Sequence, residues 1–118
     1  MASMQCLQVT TTLADRESAR ELAAAVVAER LVACAQIVGP IESVFRWDGV
    51  VQVEAEWYCL MKTTAQRFPA LAAWIAAQHP YETPELVASE IVAGAPDYLE
   101  WIAVETVPAG EGGPAVAG

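Results

Sequence analysis

The alternation of apolar and polar positions predicts four strands and three helices along most of the chain. The β-forming residues of the 6–12 stretch predict a first strand. Helical spacing of apolar side chains then predicts an amphipathic helix that ends near Arg30, with Asp15 as its N-cap. The apolar positions of this helix are Ala19, Leu22, Ala23, Val26 and Val27.

A long β-hairpin is predicted in the middle of the chain. A strand-like pattern covers residues 32–47, and Gly39-Pro40 should bend it or introduce a bulge. Asp48-Gly49 is a strong signal for a two-residue turn, and the return strand covers residues 50–63. Both strands exceed the usual length of about 5–6 residues. We therefore expect the hairpin to extend beyond the core of one subunit.

The remaining elements repeat the strand and helix pattern. A second helix begins near Phe68 and accommodates Pro69 only in its first turn. It should end before His79-Pro80, because the residue before a proline is disfavoured in helical geometry. A last strand is predicted over residues 86–92 and a short third helix over residues 97–104.

This order of elements predicts an α+β fold of the ferredoxin-like β-α-β-β-α-β type, with a long central hairpin and a short C-terminal helix. It forms a single domain over residues 4–106, and the Pro-, Gly- and Ala-rich tail at 107–118 is predicted to be disordered. Two helices on one face leave the other face of the sheet bare. Further copies of the chain are the simplest cover for it.

Composition favours self-association and excludes several partners. Hydrophobic residues make up 55% of the 118 positions, which is more apolar material than a small monomer readily buries. The net charge of −9, with Lys62 as the single lysine, disfavours nucleic acid and anionic membrane surfaces. No apolar run approaches the roughly 20 residues of a membrane-spanning helix.

The cysteines and the N-terminus predict a cytoplasmic protein. The three cysteines, Cys6, Cys34 and Cys59, form no CxxC pair, zinc spacing or disulfide framework. The N-terminus also lacks the charged and apolar regions of a signal peptide. Cys59 and Met61 lie on one face of an apolar strand, where core packing is the favoured role for both sulfur atoms.

Candidate chemistry is sparse, and we expect neither catalysis nor a required cofactor. The only histidine is His79, and there is no P-loop, GxGxxG or HExxH motif. Ordinary carboxylates such as Glu82 and Glu85 make poor acids at neutral pH. His79 is a candidate ligand for copper or another divalent cation, with Glu82 and Glu85 as oxygen donors. The alternative is a histidine whose side chain interacts with the last carbonyls of its helix.

The run His79-Pro80-Tyr81-Glu82-Thr83-Pro84-Glu85 resembles the signature of the CutA divalent-cation tolerance family. Other motifs agree in order and spacing, and together they cover about residues 5–106. They are Thr10-Thr11-Thr12, Leu31-Val32-Ala33-Cys34-Ala35, Trp47-Asp48-Gly49, Lys62-Thr63 and Tyr98-Leu99-Glu100-Trp101-Ile102.

The resemblance implies a ferredoxin-like subunit in a homotrimer whose hairpins pair across subunits. We predict Phe45, Trp47 and Tyr81 as interface residues, Trp47 because it lies at the hairpin tip, beyond the likely core. It also implies a role in tolerance of copper and other divalent cations without established catalysis. The architecture is similar to that of the PII signalling proteins. The alternative is therefore a signalling or structural trimer that binds a small molecule or a protein in clefts between subunits.

The copper site implied by the resemblance is incomplete in this sequence. Bacterial members with a described site use a Cys at the end of the first strand and two adjacent His before Pro-Tyr. Here these positions hold Thr11, Gln78 and His79. A hydroxyl and an amide bind copper much less strongly than thiolate and imidazole, so we expect at most weak or shared coordination.

Overall fold

The computed structural model describes residues 5–108 and contains four strands and three helices. The elements are β1 (Cys6–Leu13), α1 (Arg16–Ala28), β2 (Cys34–Trp47), β3 (Val50–Thr64), α2 (Phe68–Gln78), β4 (Val87–Glu90) and α3 (Pro96–Glu105). The predicted α+β fold class is confirmed. Of the tail predicted to be disordered, residues 109–118 lie outside the described part of the chain, so its disorder stays a prediction.

All neighbouring strands pair antiparallel in one sheet, in the order β2-β3-β1-β4. Helices α1 and α2 therefore each connect two parallel strands across an intervening antiparallel one, as in the split β-α-β arrangement. The core lies between this sheet and the first two helices. It contains alternate residues of β1 and β3, including Val9, Leu13, Cys59 and Met61.

Local signals account for both ends of α1. The Asp15 side chain accepts a hydrogen bond from the Ser18 amide at 2.7 Å, which confirms the predicted N-cap. At the other end, Arg30 has a φ of 59°, and the Leu31 amide donates to the Val26 carbonyl. This is the Schellman arrangement. It ends the helix at Ala28, slightly before the predicted boundary near Arg30.

The C-terminal helix α3 covers one end of the sheet face that we expected to be bare. Ile102 is fully buried there and packs with Cys6 and Ala33. Cys6 alternates with Leu7 of the main core and therefore faces the opposite side of the sheet. Ile91 joins this second cluster, and its amide donates to the carbonyl of Cys6, the first residue of β1. β4 ends at Glu90 rather than at the predicted residue 92, because β1 begins at Cys6 and offers no partner further along.

The central hairpin extends well beyond the core. Asp48 and Gly49 have φ values of 51° and 76°, as a two-residue type I′ turn requires. The predicted bulge is confirmed by a register shift between Val38 and Ile41. The molecule is 50 Å long, and the positions from 42 to 55 are all exposed or half-buried. The large apolar side chains exposed in this outer part of the hairpin are Val44, Phe45, Trp47, Val50, Val51 and Val53.

Candidate functional site

A cleft of about 770 Å³ separates the outer half of the hairpin from the 79–85 segment. Five of the six site residues predicted from the sequence line it. They are Phe45, Trp47, Tyr81, Glu82 and Glu85. Candidate interface residues and candidate cation ligands therefore share one surface. His79, the sixth, lies behind the cleft and is only 8% exposed.

Hydrogen bonds of His79 hold the 79–85 segment against β1. Helix α2 ends at Gln78, as Pro80 predicted, and His79 has extended backbone angles. Its Nε2 lies 2.9 Å from the Thr12 carbonyl oxygen, and its Nδ1 lies 3.1 Å from the Tyr81 amide nitrogen. The alternative role predicted for this side chain, a bond to the last carbonyls of its own helix, is wrong. The imidazole reaches the strand instead.

These two partners determine the protonation state of the ring. A carbonyl can only accept, so Nε2 carries the proton and donates to Thr12; an amide can only donate, so Nδ1 accepts from Tyr81. Both bonds require neutral imidazole. Burial lowers the pKa of His79 below its ordinary value of 6.5, against smaller opposing effects of the Thr12 carbonyl and Glu56.

Tyr81 connects the segment to the hairpin. Its ring centroid lies 4.8 Å from that of His79, and its hydroxyl donates to Glu56 Oε2 at 2.8 Å. Burial raises the pKa of Tyr81, and the hydrogen bond and negative charge of Glu56 raise it further. The phenol therefore stays protonated and acts as a donor. The first three residues of the segment are therefore tied both to β1, through His79, and to β3, through Tyr81.

Acidic and aromatic side chains dominate the cleft. Glu54 and Glu56 face Glu82 and Glu85 across it, and within residues 5–108 its lining includes no Lys, Arg or His. Such a surface attracts cations. However, no group of three His, Cys, Asp or Glu residues in the described part of the chain could hold a metal ion. One chain thus does not assemble His79, Glu82 and Glu85 into a three-ligand site.

The lowered pKa of His79 predicts a loss of stability on mild acidification. Near and below pH 6.5 the unfolded chain binds more protons than the folded one, so the free energy of unfolding falls as the pH falls. The stability due to neutral His79 is fully present above this pH. It is lost on acidification towards the lowered folded-state pKa, with a slope of at most about 1.4 kcal/mol per pH unit.

Urea unfolding between about pH 7.5 and 5.5 measures this effect, because carboxylates titrate mostly below that range. His79→Gln is the control and should show a shallower slope than the unsubstituted protein. Equal slopes in the two proteins would contradict the assignment.

Comparison with known proteins decides the family. Residues 7–105 match the family model described as "CutA1 divalent ion tolerance protein". The chain belongs to the CutA1 family. The divalent-cation tolerance protein CutA of Thermus thermophilus is 43% identical over 98 residues, covering 83% of this chain and 95% of that protein. An Escherichia coli CutA is 38% identical over 94 residues, covering 80% of this chain and 84% of the relative.

Solved CutA1 structures share the fold. The structure of a Thermus thermophilus CutA1 superimposes with a TM-score of 0.83 at 41% identity, covering 86% of this chain and 99% of that one. Rice CutA1 superimposes with a TM-score of 0.86 at 36% identity, covering 89% of this chain and 96% of that one.

The compartments named for relatives differ: a rice CutA is called chloroplastic and an Archaeoglobus fulgidus CutA is called periplasmic. Among residues 5–108, no helix is long and apolar enough to cross a membrane.

The residues at the three positions that the resemblance assigns to copper do not fit this metal. Thr11 is fully buried on the core side of β1 and offers only a hydroxyl, and the Gln78 side chain is exposed on α2. His79 has no free lone pair, since one ring nitrogen carries a proton and the other accepts from Tyr81. This set supplies neither a thiolate nor an available imidazole.

The Thr11 hydroxyl predicts a stabilising substitution. Its Oγ1 is buried and has no hydrogen-bond partner within residues 5–108. Valine keeps the shape and removes the unpaired group, so Thr11→Val should raise the free energy of unfolding by about 1–2 kcal/mol. The matched control is Thr63→Val: Thr63 is equally buried, but its hydroxyl donates to the Leu31 carbonyl at 2.7 Å. Denaturant unfolding should show opposite signs for the two variants, and a destabilised Thr11→Val would contradict the prediction.

Two acidic residues of the cleft were missed in the sequence. Glu54 and Glu56 lie two positions apart in β3, so they share a face of the strand. This spacing of two like charges in a strand rich in apolar residues was the available signal. Their proximity to Tyr81 depends on how the 79–85 segment packs, since Tyr81 lies 25 residues after Glu56 in the chain.

Proposed function

We propose that this CutA1 protein acts as a non-enzymatic homotrimer in tolerance of copper and other divalent cations. Family membership supports the role in cation tolerance. The observation that carries the trimer is the apolar surface of the hairpin, where Val44, Val51 and Val53 are 66%, 56% and 58% exposed. A monomer rarely leaves so much contiguous apolar surface in water.

The edges of the sheet also favour assembly. β2 is an edge strand of 14 residues, and β4, at the other edge, has four. Long exposed edges promote pairing with another chain. Pairing of one subunit's hairpin with the next subunit would cover both the strand edge and the apolar side chains. In a closed ring of three subunits, every copy would make the same two contacts. Phe45, Trp47 and Tyr81 are the proposed interface residues.

Carboxylates are the proposed cation donors. Glu82 and Glu85 are exposed at the cleft, and carboxylate oxygens are ligands for divalent cations that include Zn²⁺. Coordination shared between subunits would raise the number of ligands above what one chain offers. His79, the third predicted ligand, would have to break a hydrogen bond to take part. No resident cofactor is needed for this role.

Titration calorimetry of the intact protein with Cu²⁺ and Zn²⁺ tests the cation part. We expect a dissociation constant of about 0.1–1 mM, the range of weak carboxylate sites. Combined Glu82→Gln and Glu85→Gln substitutions should abolish the heat, whereas Glu90→Gln, an exposed carboxylate outside the cleft lining, should not. Absence of binding below about 1 mM, or binding unchanged in the double variant, would refute these donors.

A second candidate function follows from the size of the cleft. Its volume of about 770 Å³ and its aromatic walls suit a small molecule or a protein side chain. In this alternative, the protein is a PII-like signalling or structural trimer with ligands in the clefts between subunits. A metabolite that copurifies with the intact protein, together with silent cation titrations, would favour it. For either function we propose a cytoplasmic location, consistent with three free cysteines.

A further inference from the structure

The imidazole of His79 is bonded to the main chain on both sides. We infer that His79 is a clamp between β1 and the 79–85 segment, and that it holds one wall of the cleft instead of binding metal. This inference goes beyond the proposed function, because it stands whether or not the carboxylates of the cleft bind cations.

On the Nε2 side, the imidazole ring donates the hydrogen bond that a neighbouring strand would otherwise supply to β1. β4 accompanies β1 only as far as Thr10. The Cys6 carbonyl accepts from Ile91 on that edge, and the alternation of peptide groups directs the Thr12 carbonyl to the same edge, beyond the end of β4. Thr12 is only 4% exposed. The Nε2–H group of His79 therefore supplies the donor that β4 does not provide.

On the second side, the ring turns the chain. Nδ1 accepts from the amide of Tyr81, two residues further on. A side-chain acceptor bonded to the amide of residue i+2 is the geometry of an Asx turn, formed here by histidine. Pro80, between them, has no amide hydrogen to compete. The turn places the Tyr81 hydroxyl on Glu56, so a continuous chain of contacts runs from Thr12 to the hairpin.

His79 cannot bind a metal ion and keep both of its hydrogen bonds to the main chain. Coordination requires a lone pair, and the ring has only the one at Nδ1, which already accepts from Tyr81. Use of Nε2 would displace its proton and leave the Thr12 carbonyl without a donor. Either loss leaves a main-chain group unpaired at a position where the ring itself is buried. Cations should therefore bind this protein without the imidazole.

Substitutions can remove the two bonds separately. In His79→Asn, the side-chain carbonyl can accept from Tyr81 but the amide is too short to reach Thr12. In His79→Gln, the longer amide can donate to Thr12 but does not form the turn. His79→Ala loses both bonds. We expect the alanine variant to lower the melting temperature by about 5–10 °C, and each single-bond variant to recover about half of that loss.

Zinc titration followed by ¹⁵N NMR of the histidine ring provides the second measurement. On the unsubstituted protein, the signals should report the Nε2–H tautomer and stay unchanged as Zn²⁺ is added. Zn²⁺ affinity by calorimetry should differ by less than about two-fold among the unsubstituted protein and the Asn and Gln variants.

Two outcomes would overturn the inference. One is a ring signal that shifts in proportion to bound Zn²⁺. The other is a melting temperature equally low in the alanine, asparagine and glutamine variants. If the alanine variant does not fold, the asparagine and glutamine variants decide the question. Folded but destabilised asparagine and glutamine variants would then support the clamp, because each keeps one of the two hydrogen bonds. If no cation binds at all, the tautomer and the order of melting temperatures still decide the question.

Discussion

Replacing Trp47 with alanine is expected to lower the association constant of the proposed trimer by about 10⁴-fold. Trp47 is the last residue of β2, at the hairpin tip, and its side chain is 42% exposed in the single chain. A buried interface tryptophan typically contributes about 2 kcal/mol or more. Three equivalent interfaces would then lose about 6 kcal/mol together, which corresponds to this factor. The subunit fold should change little, because the tip lies outside both core clusters.

The chain offers a closely matched control. Trp101 on α3 is 40% exposed, so its truncation removes a similar apolar side chain at a site away from the hairpin. Light scattering across a dilution series should show dissociation of Trp47→Ala and not of Trp101→Ala. A Trp47→Ala protein that stays trimeric on dilution would rule out this anchor. A mass of 12.6 kDa for the unsubstituted protein at micromolar concentration would contradict the trimer itself.

Gly39→Ala should destabilise the fold by about 3 kcal/mol, because the position has no space for a methyl group. A Cβ atom built at Gly39 would lie 2.5 Å from two ring atoms of Trp57. The indole is rigid and packs against the main core, so it cannot move aside at low cost. Gly39 lies within the register shift of β2, where the chain passes closely over the ring.

A second substitution distinguishes this clash from other effects of alanine. Trp57→Leu removes the ring, so the double variant should be more stable than the sum of the two separate losses predicts. Gly49→Ala is the contrasting case. No atom of residues 5–108 lies within 4 Å of a Cβ built there, but φ is +76°, so only about 1 kcal/mol of backbone strain is expected. Urea unfolding of the four variants measures each value. Strict additivity of the Gly39 and Trp57 substitutions would show that the clash is not the cause.

The predictions from local sequence agree with the structure where the physics is local. Asp48-Gly49 forms the turn because both residues tolerate positive φ, and Asp15 caps α1 because its carboxylate reaches an amide three residues on. Pro80 ends α2 for a similar reason. None of these features needs a partner from a distant part of the chain.

The candidate site was predicted only in part. Residues 79–85 were recognised as distinctive, and Tyr81, Glu82 and Glu85 do line a cleft with Phe45 and Trp47. The sequence did not predict that metal candidates and interface candidates would lie on one surface. That proximity requires the outer part of the hairpin and the 79–85 segment to line the same cleft. Their arrangement depends on packing between residues that are far apart in the chain.

The sequence by itself determined the order of the elements, the α+β fold class, the hairpin and its bulge, because periodicity and turn chemistry act over a few residues. Only the tertiary structure decided the role of His79. A histidine before Pro-Tyr resembles a metal ligand in sequence, yet its ring bonds the Thr12 carbonyl, 67 residues away. That carbonyl needs a donor because Val87, the first residue of β4, pairs with Thr10, so within residues 5–108 no strand lies beside Thr12 on this edge. The role of His79 therefore depends on the relative positions of β1, β4 and the end of α2, and a local sequence pattern cannot predict it.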